Sequence, residues 1–174
     1  MSEDIHMGKP LEVGMSLPEV ILPIRVDGEF VELNTKEQFA DKRVILFGLP
    51  GAFTPTCSEK QLPGFESKFA EFQEKGIDEI YCVSVNDSFV MNSWFDSLGI
   101  KNVRPLPDGN GEFTHEIGAE CKKTNVGFGY RSWRYAVVVN NGIVESVYIE
   151  EGYQDNSETD PYEVSTPENV LENL

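Results

Sequence analysis

Pro50, Thr54 and Cys57, spaced as Pro-x-x-x-Thr-x-x-Cys, are the residues of this chain best suited to chemistry. They lie in Leu49-Pro50-Gly51-Ala52-Phe53-Thr54-Pro55-Thr56-Cys57-Ser58-Glu59, after the apolar run Val44-Ile45-Leu46-Phe47 and before a helical pattern. Thr56-x-x-Glu59 has the form of a capping box, which predicts Thr56 as N-cap and Cys57 at the first helical position. A thiol there faces unpaired backbone N–H groups and the positive end of the helix dipole. Both favour the thiolate, the nucleophilic form. The ordinary alternative is a small buried hydrophobe, the common fate of a free cysteine. Thr54 can pass a hydrogen bond to a thiolate or its substrate, or simply bond a loop carbonyl. Pro50 can shield a thiolate from water, or merely end a strand.

These residues need a strand to end and a helix to begin beside them. Val44 to Leu49 is apolar at every position, as a central strand covered on both faces must be. After Cys57, Leu62, Phe65, Phe69 and Phe72 fall on one helical stripe that Gly76 ends, with Pro63 expected to kink it or remove a hydrogen bond. Ile80 to Val85 is the next apolar run and a parallel partner for the first, which makes one βαβ unit. Asn86-Asp87 offers a cap for a helix with the stripe Met91, Trp94, Phe95 and Leu98, closed by Gly99. Pro105 to Gly111 must turn, and residues 112–130 suggest a short helix and then a loop. Tyr135 to Val139 and Ile143 to Ile149, split by Asn141-Gly142, give the strongest hairpin signal. Residues 151–161 are acidic and irregular, and Thr166-Pro167 starts a final helix. Ahead of all this, residues 1–16 read as a polar arm. Val20 to Leu22 and Phe30 to Leu33 form a hairpin about Asp27-Gly28, and Thr35 caps a short helix through Phe39. The pattern is α/β, with one domain expected over residues 1–174.

Composition narrows the partners. The chain has 174 residues, 40% hydrophobic and 25% charged, in the range of a soluble globular protein. A net charge of −16 argues against nucleic acid and against anionic membrane surfaces. No run of about 18 apolar residues is present. The opening MSEDIHMGKP lacks the basic and apolar regions of a secretory signal, so a cytoplasmic location is expected. Three widely spaced cysteines, Cys57, Cys82 and Cys121, make neither a disulfide framework nor a zinc ribbon. Cys82 lies mid-strand and reads as a buried, inert thiol; Lys122 and Lys123 beside Cys121 could activate it. Asp108-Gly-Asn110-Gly-Glu112 lacks the sixth-position glycine of a calcium loop, His115-Glu116 lacks a second histidine, and Gly127-Phe-Gly129 is no dinucleotide fingerprint.

The spacing of Pro50, Thr54 and Cys57 matches the PxxxTxxC signature of the peroxiredoxins, and GLPGAFTPTCS resembles their type II, or atypical two-Cys, subgroup. The segment Gly127-Phe128-Gly129-Tyr130-Arg131-Ser132-Trp133-Arg134-Tyr135 is similar to the family's stretch in which an arginine entering a strand reaches the reactive cysteine. Arg134 matches that position, and an isolated arginine would otherwise read as a surface ion-pair partner. Arg131 falls in the nearby loop, at a possible subunit contact. Val83 to Met91 and Pro107 to Phe113 resemble further type II segments, so the likeness spans nearly the whole chain.

The resemblance implies a thioredoxin-like fold, a mixed central sheet flanked by helices with an N-terminal β-hairpin. It implies a thiol peroxidase in which Cys57 takes oxygen from hydrogen peroxide or a small organic hydroperoxide and becomes a sulfenic acid. Thr54, Arg134 and the backbone N–H groups near Thr56 and Cys57 would bind the peroxide, Pro50 would exclude water, and no metal, haem, flavin or other cofactor is implied. Phe53, Phe89 and Phe128 are the implied aromatics of a homodimer contact. Some type II members carry a second cysteine before the C-terminal helix, where this chain reads Tyr162-Glu163-Val164-Ser165-Thr166. Its absence there, and a likeness to the peroxidase part of bacterial peroxiredoxin–glutaredoxin hybrids, imply recycling by glutathione and glutaredoxin. Thioredoxin is the alternative reductant. Passing oxidation to a protein partner, as a peroxide sensor, is the alternative role.

Overall fold

A computed structural model of the chain describes residues 11–174. Most of the expected polar arm, residues 1–10, lies outside the described residues. Its remainder, residues 11–16, is no free arm. Leu11 is buried, Gly14 donates to the Val144 carbonyl, and Ser16 bridges Ile143. Leu11 and Met15 supply enough apolar surface to dock this stretch on the sheet.

The central sheet has five strands in the order β5-β4-β3-β8-β9, from β3 (Arg43–Gly48), β4 (Glu79–Ser84), β5 (Arg104–Pro107), β8 (Tyr135–Asn140) and β9 (Ile143–Ile149). β3, β4 and β5 run parallel, and β8 and β9 join antiparallel. β3 sits in the middle, and its alternate residues feed two cores. Ile45 and Phe47 face one with Ile80, Cys82, Ala136 and Val138; Val44 and Leu46 face the other with Tyr81, Val83, Val137 and Val139. This two-faced burial is why the run is apolar throughout.

The first core is closed by α2 (Leu62–Ser67), α3 (Phe69–Glu74), α4 (Ser88–Ser97) and α6 (Pro167–Glu172), through Phe65, Phe72, Met91, Trp94 and Val170. The second is closed by α1 (Thr35–Phe39), α5 (Glu112–Glu116) and the hairpin of β1 (Ile21–Val26) and β2 (Glu29–Asn34). Asp27 and Gly28 turn that hairpin with φ of 50° and 83°, as a tight two-residue loop requires. A mixed sheet with helices on both faces and an N-terminal hairpin is the expected architecture.

Several local expectations are corrected. Asn34, not Thr35, caps α1: its side chain accepts from the Glu37 N–H at 3.1 Å. Thr35 is buried and ties the hairpin instead, accepting from Val20 N–H and donating to the Pro18 carbonyl, both at 2.8 Å. Asp87 caps α4 and Thr166 caps α6, as expected. Residues 120–132 are not a plain loop. β6 (Glu120–Lys122) and β7 (Tyr130–Ser132) form a small antiparallel ribbon. Pro63 does not mark the break in its helix. It sits in the first turn of α2, just past a wide turn that needs no N–H from it, and the break falls at Lys68 with φ −104° and ψ 9°.

The Glu66 carboxylate fastens α2 to the turn before β5. It accepts backbone N–H bonds from Lys101, Asn102 and Val103 at 2.9–3.2 Å. Burial pushes its pKa up, but these donors outweigh it, and the pKa lies below the ordinary 4.5. The stabilisation is therefore present above that value and lost as pH falls through the depressed one. Glu66→Gln is expected to cost about 0.5–1.5 kcal/mol in urea unfolding at pH 7, because solvent reaches most of these bonds. The gap between parent and variant should close below pH 4.5.

Candidate active site

Cys57 lies past the C-terminal end of β3, in the turn that leads to α2. The helix begins earlier than the capping-box pattern predicts. Residues 55 and 56 are already helical, and Ser58 N–H donates to the Thr54 carbonyl at 2.9 Å. Thr56 has helical φ and ψ and caps nothing with its side chain. Pro55 explains the shift: its fixed φ suits the first helical position, and its missing N–H costs nothing there. Thr56 and Cys57 thus precede the first i→i−4 bond of the helix, so their N–H groups lack an intrahelical acceptor. Residues Cys57–Gln61 then form a π-turn, in which the Leu62 N–H reaches the Cys57 carbonyl.

Arg134 enters from the start of β8, beside β3 in the sheet. Its Nη1 donates to Cys57 Sγ at 3.5 Å and to Gln61 Oε1, and its Nη2 donates to Asp160 Oδ1 at 2.7 Å. Cys57 and Gln61 are fully buried and Arg134 is 1% exposed, whereas the Asp160 side chain is 48% exposed. Tyr162 lies with its ring centroid 5.8 Å from the guanidinium carbon. Burial works against the charge of Arg134. The Cys57 sulfur and the Asp160 carboxylate outweigh it, and the guanidinium holds its proton more tightly than usual. Among the described residues, Arg134 Nε and Gln61 Nε2 are buried without a protein partner, two donors beside the same cluster of polar atoms.

The loop ahead of Cys57 is fixed from three sides. Pro50 is buried, and its carbonyl accepts from Arg131 Nη1 at 2.9 Å. The Ala52 N–H donates to Asn86 Oδ1 at 3.0 Å. Thr54 Oγ1 donates to the Gly51 carbonyl at 2.7 Å, so its hydrogen is spent within the loop and its oxygen remains as an acceptor. A Cβ on Gly51 would push the Arg131 guanidinium from its place beside the loop. Arg131 also donates to the Phe128 carbonyl at 3.2 Å and stacks on the Phe128 ring. Its cation is drawn into the Cys57 loop, not to a purely outward position.

The structure therefore gathers Pro50, Thr54, Thr56, Cys57 and Arg134 at one end of the sheet. Sequence reasoning missed Gln61, Asn86 and Asp160. Gln61 was within reach: a glutamine four residues after Cys57, on the helix face that enters the core, is out of place unless it has a polar partner. Asp160 carried no such signal, being one acid among many in an irregular stretch.

The other two thiols are buried. Cys82 is fully buried in β4, and burial, then the Cys57 sulfur, pushes its pKa well above normal. Cys121 is 1% exposed in β6, and burial raises its pKa to about 11 despite Lys123. The activation by lysines suggested by the sequence is overcome by desolvation. In the folded protein at pH 8, iodoacetamide should leave Cys82 and Cys121 unmodified. Cys121 should begin to react only near pH 11, while both label freely in denaturant. Peptide mass spectrometry checks this, and fast labelling of Cys121 at pH 8 would contradict its burial.

The Redoxin family model matches residues 12–166. The chain is similar to a peroxiredoxin of Rhizobium etli, 61% identical over 141 residues that span 81% of this chain and 79% of the relative. It is also similar to the hybrid peroxiredoxin hyPrx5 of Haemophilus influenzae, 44% identical over 92% of this chain and 65% of that one. Among solved structures, the Plasmodium falciparum antioxidant protein, a 1-Cys peroxiredoxin, superposes with a TM-score of 0.90. It is 39% identical, over 93% of this chain and 97% of that chain.

Proposed function

The chain belongs to the peroxiredoxin family of thiol peroxidases, and on that premise we propose that Cys57 is its peroxide-reducing thiol, with Pro50, Thr54, Thr56 and Arg134 around it. The Cys57 thiolate attacks the terminal oxygen of hydrogen peroxide or a small organic hydroperoxide. An S–O bond forms as the O–O bond breaks, and the departing oxygen takes a proton and leaves as water or an alcohol. Sulfur is oxidised to the sulfenic acid. The observation that carries this reading is Arg134 Nη1 directed at the buried sulfur at 3.5 Å. A fixed cation there meets charge developing on the peroxide oxygens. Arg134 Nε and the N–H groups of Thr56 and Cys57 are donors available to those oxygens. Pro50 closes the loop side against water.

Glutathione is the reductant that best fits. It attacks the sulfenic acid, giving a Cys57–glutathione disulfide and water. A second thiol, from glutaredoxin or another glutathione, then takes the glutathione and frees Cys57. The supporting observations are the lack of a cysteine in residues 160–166 and the burial of Cys82 and Cys121. The likeness to a 1-Cys peroxiredoxin supports it as well. One observation favours a second reading: Cys57 and Cys82 are buried in the same core cluster. A Cys57–Cys82 disulfide reduced by thioredoxin would follow. The exposed Phe53 and Phe89, with half-buried Phe128, mark the face on which a homodimer would form.

Intact mass after one equivalent of hydrogen peroxide tests both readings. With glutathione present, a single glutathione adduct that persists in Cys82→Ser and Cys121→Ser is expected, and none in Cys57→Ser. An internal disulfide lost in Cys82→Ser would move thioredoxin to the front. Arg134→Lys should slow Cys57 oxidation by about 10²- to 10³-fold, the usual cost of losing a donor aimed at developing charge. An unoxidised Cys57 in the parent would overturn the assignment.

A further inference from the structure

Asp160 differs from the other groups on Arg134 in facing two ways. Gln61 and Cys57 are sealed in the core, but the Asp160 side chain is 48% exposed while its Oδ1 accepts from Arg134 Nη2 at 2.7 Å. Its open side lines a cleft together with Pro50, Thr54, Lys123, Phe128 and Glu158. Two of these residues belong to the loop that carries Cys57. The cleft thus lies against the outer side of that loop and of the Arg134–Asp160 pair. Its charges are unequal in reach. Lys123 is 7% exposed, with its ammonium 5.6 Å from the Trp133 ring centroid. Glu158 and Asp160 are both exposed. Arg134 is 1% exposed, and its outward nitrogen is already bound to Asp160. An arriving molecule therefore meets two carboxylates before any open cation.

Asp160 is also held in place. Glu150 is 2% exposed, and its carboxylate accepts from the N–H groups of Glu163, Val164 and Ser165 and from the Ser165 hydroxyl, at 2.6–3.0 Å. This anchors the segment that presents Asp160 and Tyr162 to the guanidinium.

Resting on the assignment of Cys57 and Arg134 above, we propose that Asp160 is a positioning residue for Arg134 and a specificity determinant. With Glu158 it makes the approach to Cys57 a charge filter that admits uncharged hydroperoxides and holds back those bearing a carboxylate. Hydrogen peroxide and simple alkyl hydroperoxides are neutral at physiological pH and pass. A carboxylate on the organic part meets like charge at the rim, with nothing accessible to neutralise it.

The test compares a tertiary hydroperoxide carrying a carboxylate with the methyl ester of the same compound. Stopped-flow rates of Cys57 oxidation are measured for the parent, Asp160→Asn, Asp160→Glu and Glu158→Gln, with hydrogen peroxide as reference. The parent should react about five-fold faster with the ester, the effect of one unit charge across roughly 8 Å of partly wet cleft. That ratio should shrink as salt is added. Asp160→Asn should narrow the ratio to the share that Glu158 supplies and also slow hydrogen peroxide, through a less well held Arg134. Asp160→Glu should keep the ratio. Loss of positioning alone would slow both compounds equally, so an unchanged ratio in Asp160→Asn overturns the filter. Should Asp160→Asn fail to fold, Glu158→Gln must narrow the ratio by itself, or the filter is overturned. A parent whose Cys57 is untouched by hydrogen peroxide would instead overturn the peroxidase site, and this inference with it. A parent that reacts with hydrogen peroxide yet treats acid and ester alike overturns the filter only.

Discussion

A guanidinium with 1% exposure is the constraint around which this end of the molecule is built. Removing such a charge from water costs several kcal/mol, and burial is tolerable only if its donors are met by well-placed acceptors. Arg134 meets sulfur and an amide oxygen through Nη1 and a carboxylate through Nη2, leaving only Nε unmatched among the described residues. Those acceptors come from parts of the chain that would otherwise be independent: the π-turn after β3 and the segment before α6. The antiparallel strand β8 supplies the cation itself. Three remote stretches are thereby required to agree on one geometry.

The sheet makes that agreement possible. β3 and β8 are neighbours, and their register pairs Gly48 with Tyr135. The chain leaving β3 towards Cys57 and the chain entering β8 from Arg134 consequently lie at the same edge. Tyr135 occupies the space over Gly48 that any side chain there would need. The π-turn contributes the last adjustment, setting Cys57 and Gln61 both within reach of one nitrogen of Arg134.

Much of the scaffold could be read from periodicity alone. The all-apolar run Val44 to Leu49, the stripe Met91, Trp94, Phe95, Leu98 and the Asn141-Gly142 hairpin each have a local cause, and each stands as expected. The gathering of Cys57 and Arg134 was legible only through family resemblance, because 77 residues separate them and no local rule links them. Misreadings arose where two local signals competed. Pro55 outweighed the Thr56 capping box, and Asn34 took the cap that Thr35 could have made. The partners of Arg134 stayed hidden for another reason. An acid in an acidic segment acquires meaning only from the tertiary contact it makes, and Asp160 has no pattern of its own.

Glu150 gives the region a different property. A lone carboxylate met by four donors from residues 163–165 closes the intervening stretch 151–162 into a loop with both ends fixed. Lengthening such a loop costs only a few tenths of a kcal/mol in closure entropy, since that cost grows with the logarithm of length. The knot lets length change at its exposed near end, around Gly152, while Asp155, Asn156 and Asp160 keep their contacts further along. Insertions there are thus the cheapest mutational route by which this scaffold can acquire a new rim, with Arg134 and its partners left intact.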